Sequence, residues 1–470
     1  MTAIGQRQSD FEATRVANRT YASRISRGPL SMRLDSATVV GLLICVLTLI
    51  PARLILPGFG DRPVYILGVL MFVWWLVSRM APHLTMPGPQ PIRWAILAYA
   101  LTILMSYAVA QLRLLTSIEA NGADRAMLYF ACFAGIALVT ADGIATESRL
   151  DQVIRVFVFC GAVMAVIAVI QFAFSYDATT LIQIPGLVAK WEAIGFEARG
   201  AAIRVASTTT HYIELATVLA TILPFAIHLA MFARRRRWIP IAISLLLMAG
   251  VMTTVSRSGV LAVAIVAVLL IPTWNWRFRY NVFVMLGLLM AGLAAAKPSL
   301  MRTLTSLFED PSSNPAFTVR QERYPLVWSY FVQHPWLGRG TGTWLAPQYQ
   351  ILDNYWLAFL ISNGIIGVLL LATMHLIAFG AAMQARRRAA TAEQKHLCIA
   401  VASTQIVPLL VAGTYDSLAF GTYALTVALT VGLCGAVWRL THPSVDIRTA
   451  APRWFSASPS AEYLRQYARR

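Results

Sequence analysis

Arg204, Arg257 and Arg320 each stand at an apolar boundary of this chain, far apart in sequence. A guanidinium stays charged and offers a planar fork of donors that fits phosphate oxygens two at a time. A charge at the edge of hydrocarbon is costly to keep, which makes it a functional candidate. Three such groups on one face would suit a diphosphate held at a membrane surface. Each arginine alone could equally snorkel or pair with an acid such as Glu197 or Glu322. Asp353 and Asn354 stand at the mouth of the next apolar stretch. Asp353 could act as general base toward a sugar hydroxyl if it lies within hydrogen-bond reach of it. An acid there is also a favourable helix cap, and the two roles are compatible. His211 and Glu214 are three apart, so they share a helical face at the start of another apolar stretch. A histidine so placed is more often a structural hydrogen-bonder than a catalyst. Arg323 would share a face with Arg320, and Asp416 is a weaker candidate in a later turn.

Other chemistries find little support. His211 and His334 are the outer histidines, far apart and without neighbouring thiolates, so no metal site is expected. The five cysteines fall inside apolar stretches with no C-x-x-C spacing, which reads as packing thiols. Gly338, Gly340 and Gly342 mimic a nucleotide loop, but they follow no strand; they suit a tight turn or a close backbone approach. No cofactor is expected. The net charge of +18 is better explained by a basic cytoplasmic excess that sets topology than by nucleic acid.

The elements that must hold these residues are transmembrane helices. The chain is 58% hydrophobic and 13% charged, with mean hydropathy +0.63, well beyond a soluble domain. Repeated apolar runs of about 17–25 residues each suffice to cross the hydrocarbon layer. Backbone in lipid must satisfy itself internally, so the fold class is all-α, a polytopic helical bundle. About twelve spans can be drawn, roughly 37–56, 63–80, 93–112, 126–142, 152–175, 210–232, 238–254, 258–273, 280–296, 354–380, 396–413 and 418–438. With both termini in the cytoplasm, Arg79, Arg93, Arg149, Arg155, the run Arg234–Arg237, Arg277, Arg279 and Arg386–Arg388 all fall inside. Residues 1–36 and 441–470 then form basic cytoplasmic tails, and no signal peptide precedes the first span. The domain between them, 37–440, carries extracytoplasmic loops at about 176–209 and 297–353, the larger one just before span ten. Within that loop, residues 318–333 suit a helix on the membrane surface, with Trp328, Tyr330 and Phe331 among the headgroups.

At this point a family pattern emerges. Arg320, Tyr324, the turn Pro335-Trp336-Leu337-Gly338-Arg339-Gly340, the run Asp353-Asn354-Tyr355-Trp356-Leu357 and Asn363-Gly364-Ile365-Ile366-Gly367 follow one another in order. Ser256-Arg257-Ser258-Gly259 and the arginine-led stretch from Arg204 to Pro224 precede them. Over about residues 150–440 the chain resembles the O-antigen ligase and polymerase superfamily. The resemblance implies a membrane glycosyltransferase whose donor is a glycan on a polyprenyl diphosphate, presented outside the cytoplasmic membrane. It implies that Arg204 and Arg320 hold the diphosphate leaving group. Where the family's ligases carry the histidine of a His-Asn pair, this chain has Asp353, a departure that favours a polymerase over a ligase. A single displacement would invert the anomeric carbon. The partners are the lipid-linked glycan that the resemblance implies and membrane lipids, with a chain-length regulator as a further candidate. A transporter or lipid flippase is the rival from another class; such proteins tend to carry internal repeats and mid-membrane polar groups, and neither is visible here.

Overall fold

The computed structural model describes residues 35–80, 89–191, 196–199, 202–296, 298, 315–346 and 348–442. Both basic tails, apart from residues 35–36 and 441–442, lie outside the described residues, as do 299–314 of the larger loop and the side chain of Arg320.

Thirteen helices are present among the described residues: α1 Ser36–Leu49, α2 Pro63–Met80, α3 Pro91–Gln111, α4 Ser117–Gly143, α5 Glu147–Phe174, α6 Tyr212–Phe232, α7 Trp238–Thr253, α8 Arg257–Leu270, α9 Trp276–Ala296, α10 Pro315–Phe331, α11 Tyr355–Arg388, α12 Ala392–Val411 and α13 Gly421–Leu440. Twelve of them stand where spans are expected from the sequence, and α10 supplies the helix expected inside the larger loop. Eight are long and apolar enough to cross a membrane; α1, α7 and α8 are shorter apolar helices. The protein is a polytopic helical membrane protein.

The helices begin where the sequence supplies caps. Asp35, Thr146 and Ser256 accept backbone N–H groups at the starts of α1, α5 and α8. Thr116 with Glu119 and Thr391 with Gln394 form reciprocal capping boxes on α4 and α12, satisfying donors that a helix end leaves orphaned. The first span is shorter than its hydropathy suggests. α1 stops at Leu49, because Pro51 disfavours helix in the residue before it. The apolar residues beyond leave the helix as strand β1 (Leu54–Ile55), which pairs antiparallel with β2 (Val188–Ala189) from the smaller loop.

α13 is the centre of the bundle. It packs against α4, α11, α12 and α6, and its apolar window is 89% buried against 22% for α2. A helix buried all round needs no polar face, whereas α2 turns Leu70, Val73, Leu76 and Val77 outward, as a lipid-facing helix does. The two ends of the bundle differ in charge. At one end Arg79 and Arg93 pair with Asp142, and Arg149 pairs with Asp35. There the buried Arg439 donates to the carbonyls of Ala141 and Ile144 at the end of α4, where the helix dipole favours a cation.

Candidate active site

The other end gathers the ends of α6, α7, α8, α11, α12 and α13. Arg204 closes a short hairpin, β3 (Glu197–Arg199) with β4 (Ala202–Arg204), in which Glu197 faces Arg204 across the strands. Its guanidinium is held from three directions. The Val255 carbonyl accepts from it at 3.2 Å, the Tyr212 ring lies 3.8 Å from its central carbon, and Glu197 Oε2 is 3.5 Å away. Its Nε is buried with no hydrogen-bond partner. Burial makes the charge less comfortable and lowers its pKa, while Tyr212 and Glu197 oppose that shift.

Val255 occupies left-handed backbone at φ 47°, a conformation that a β-branched residue rarely adopts. The turn it forms aims its carbonyl at Arg204 and leads directly into Arg257, the first residue of α8. Arg257 Nε is buried and unpaired, and among the described residues no carboxylate pairs with its guanidinium. Arg204 and Arg257 are thus brought to one turn although 53 positions separate them in sequence. Ser258 bonds Thr414 at 2.8 Å, tying this turn to the connection between α12 and α13.

That connection carries Asp416. Its two carboxylate oxygens accept the backbone N–H groups of Asp353 (3.2 Å) and Asn354 (3.1 Å). Burial and the nearby Asp353 raise its pKa, and the two N–H groups and Arg323 act against them. The cap of α11 is Asn354, whose side chain accepts from Leu357 N–H at 3.3 Å. This corrects the expectation that Asp353 caps the helix. Asp353 sits one residue earlier in left-handed backbone, φ 49°, which turns its carboxylate out of the capping position. It pairs instead with Arg323 at 2.9 Å and remains half exposed. Arg320 precedes Arg323 by one turn of α10; the backbone puts the two positions on one helix face.

His211 is the cap of α6. Its Nδ1 accepts the Ile213 N–H at 3.2 Å, which fixes the neutral ring with its proton on Nε2. Nε2 faces Glu197 Oε1 at 3.9 Å. Burial lowers the pKa of His211 and Arg204 adds to that, while Glu197, Glu214 and Asp353 oppose. Glu214 lies wholly buried and accepts four hydrogen bonds, from Thr210 N–H and Oγ1 and from the N–H groups of Thr422 and Tyr423. It locks α6 to α13 and has no capacity left for a ligand.

The glycine turn is a structural wedge. α11 is not continuous: Gly364 leaves helical backbone at φ 65°, ψ −173°. The turn fills the break. Arg339 and Gly340 N–H donate to the Ile361 and Ser362 carbonyls, and Ile365 and Ile366 N–H donate to Pro335 and Trp336. The four bonds satisfy the four backbone groups that a continuous helix would have paired as Ile365 to Ile361 and Ile366 to Ser362. Arg339 is anchored in turn between the Tyr330 and Tyr349 rings and bonds Glu119, which also holds Arg113. Nothing in the sequence pattern marks this second network, because Glu119 and Arg339 are 220 residues apart. Among the described residues no group of three or more His, Cys, Asp or Glu side chains is disposed to hold a metal.

Residues 242–372 match the family model of the O-antigen ligases. That stretch is similar to the O-antigen ligase and polymerase superfamily. The matched region runs from α7 into α11 and holds Arg257, Arg320, Arg323, Asp353 and the glycine turn. Arg204, His211 and Asp416 stand outside it and reach the same end of the bundle only through tertiary contacts. No curated protein matches the chain.

Proposed function

We propose that the chain is a glycosyltransferase that polymerises cell-surface polysaccharide from repeat units carried on a polyprenyl diphosphate, on the extracytoplasmic side of the cytoplasmic membrane. The observation that carries this reading is the convergence of Arg204, Arg257 and the Arg323–Asp353 pair at the bundle end opposite the arginine-rich turns. A basic end marks the cytoplasmic side, so the site faces out and both termini face in.

In the reaction, the acceptor hydroxyl attacks the anomeric carbon of the donor. A carbon–oxygen bond forms there as the bond to the diphosphate breaks, and the configuration inverts. The hydroxyl proton passes to Asp353. The electron pair leaves with the diphosphate, whose growing charge Arg204, Arg257 and Arg320 stabilise; fixed cations in a water-poor site lower such a barrier most. Arg323 and Asp416 orient Asp353. His211 supports the reading as a donor and not as the base, because its Nδ1 lone pair is already engaged by the helix it caps. Glu214 holds the frame.

Purified protein given a synthetic polyprenyl-diphosphate oligosaccharide should yield a ladder of longer glycans and free polyprenyl diphosphate, read by mass. A single transfer to a lipid or protein acceptor with no ladder would make it a ligase, the second reading, with which the family match is equally compatible. Movement of the intact lipid-linked sugar across vesicles without elongation would make it a flippase. A chain-length regulator would appear as a partner that narrows the ladder.

A further inference from the structure

Arg204 is gripped firmly from behind and loosely from the front. The Val255 carbonyl and the Tyr212 ring fix the guanidinium whether or not anything lies before it. The front contact is Glu197, at 3.5 Å from Arg204 and 3.9 Å from His211 Nε2. Charge-assisted hydrogen bonds of full strength are shorter, about 2.7–2.9 Å. The Glu197 side chain is 57% exposed where that of Arg204 is 12% exposed. Its two oxygens therefore span the two donors from the solvent side, one on the arginine and one on the histidine. An exposed ion pair of this kind is worth little and exchanges readily.

We infer that Glu197 is an internal stand-in for the donor's diphosphate. It occupies the anion position between Arg204 and His211 when no donor is bound, and a prenyl diphosphate displaces it. Two phosphoryl groups bring more negative charge and more acceptor oxygens than one carboxylate, so the exchange favours the donor. Glu197 thereby sets how much anion is needed to open the site, and it is a specificity-determining residue for diphosphate carriers. This rests on the diphosphate reading of Arg204 given above. The half-exposed Asp353 on Arg323 has the same form, but it is assigned to the acceptor side.

Farnesyl diphosphate serves as the probe, with the full-length protein in lipid nanodiscs. Glu197→Gln keeps the shape and removes the charge, and Glu197→Ala provides a second variant should the first fail to fold. Either should bind farnesyl diphosphate about two- to fivefold more tightly than the parent, the range that a half-exposed ion pair is worth. The donor KM should fall without a rise in kcat, as for uniform binding. Inorganic pyrophosphate, used as a competitor, should gain the same factor; a gain confined to the prenylated probe would put Glu197 against the lipid chain and overturn the assignment. Equal or weaker binding of farnesyl diphosphate by both variants would overturn it as well. Arg204→Gln should weaken binding, and the double variant with Glu197→Gln should bind no better than Arg204→Gln alone. Improvement in the double variant would mean a through-space charge effect and sink the stand-in. If Arg204→Gln binds as the parent does, the diphosphate reading itself fails, and Glu197 falls with it.

Discussion

Asp353 shows how one backbone angle can separate two roles that a sequence leaves merged. Its left-handed φ hands the capping task to Asn354 and frees a carboxylate that is half exposed and steered by Arg323. We expect Asp353→Asn to reduce single-turnover glycan transfer by about 10²–10⁴-fold, the usual share of a general base, with thermal stability nearly unchanged. Asn354→Ala should do the reverse: a loss of about 1 kcal/mol of stability from the missing cap, seen as a lower melting temperature in detergent. If Asp353→Asn melts early and turns over normally, Asp353 is a frame residue. His211 adds a pH dependence. Its pKa is lowered by burial from the ordinary 6.5, so the folded ring binds fewer protons than the unfolded one just below that pH. Its contribution to stability is therefore complete above pH 6.5 and lost as pH falls through the folded-state value. Replacing His211 with Gln should flatten that part of the stability profile, as followed by thermal unfolding between pH 5 and 8.

The broken helix α11 is the element that sets the depth of the site. At about 1.5 Å per residue, its 34 residues would extend roughly 50 Å if straight. The 20 residues of α12 extend roughly 30 Å. Yet the two run antiparallel with their ends together, Tyr355 N–H bonding the Ala412 carbonyl at 2.8 Å. The break at Gly364 resolves the mismatch, and the glycine turn makes the break tolerable by satisfying its backbone groups. A Cβ at Gly364 would lie 2.3 Å from the Trp336 carbonyl carbon, and one at Gly338 would lie 2.3 Å from that of Ser362. Gly364→Ala should therefore cost about 3 kcal/mol or more through strain and clash. It should also lower transfer, because the segment bearing Asp353 would shift. At Gly287, in the middle of α9, a Cβ would meet nothing within 4 Å, so Gly287→Ala should raise stability by up to about 1 kcal/mol. Thermal melts of the two variants side by side would check both signs; equal melts would remove the wedge argument.

For the whole molecule, the separation of charge between the two ends is the property that gives the site a side. The clustered arginines between α6 and α7 and at the end of α11 lie opposite the hairpin that bears Arg204. With single cysteines introduced in a background lacking the five native ones, position 235 should react with an impermeant maleimide only after the membrane is opened. Position 176 should react in intact cells. The opposite pattern would put the site in the cytoplasm and end the proposed reaction with an extracytoplasmic donor.

Hydropathy by itself determined where the helices stand, because a segment that crosses lipid must satisfy its own backbone and be apolar along its length; each of the twelve expected positions holds a helix. The motif around Asp353 and the glycine turn was legible for a similar reason, since it is local in sequence. What each residue does there was not. Asn354 against Asp353 as cap, Glu214 as a buried lock, Glu197 before Arg204, and Asp416 beneath the start of α11 all depend on φ angles or on partners brought in from as far as 209 residues away. Such contacts carry no periodicity for a sequence to display. Only packing of the bundle, which gathers the ends of α6, α11 and α12 around the buried α13, decided which charges meet.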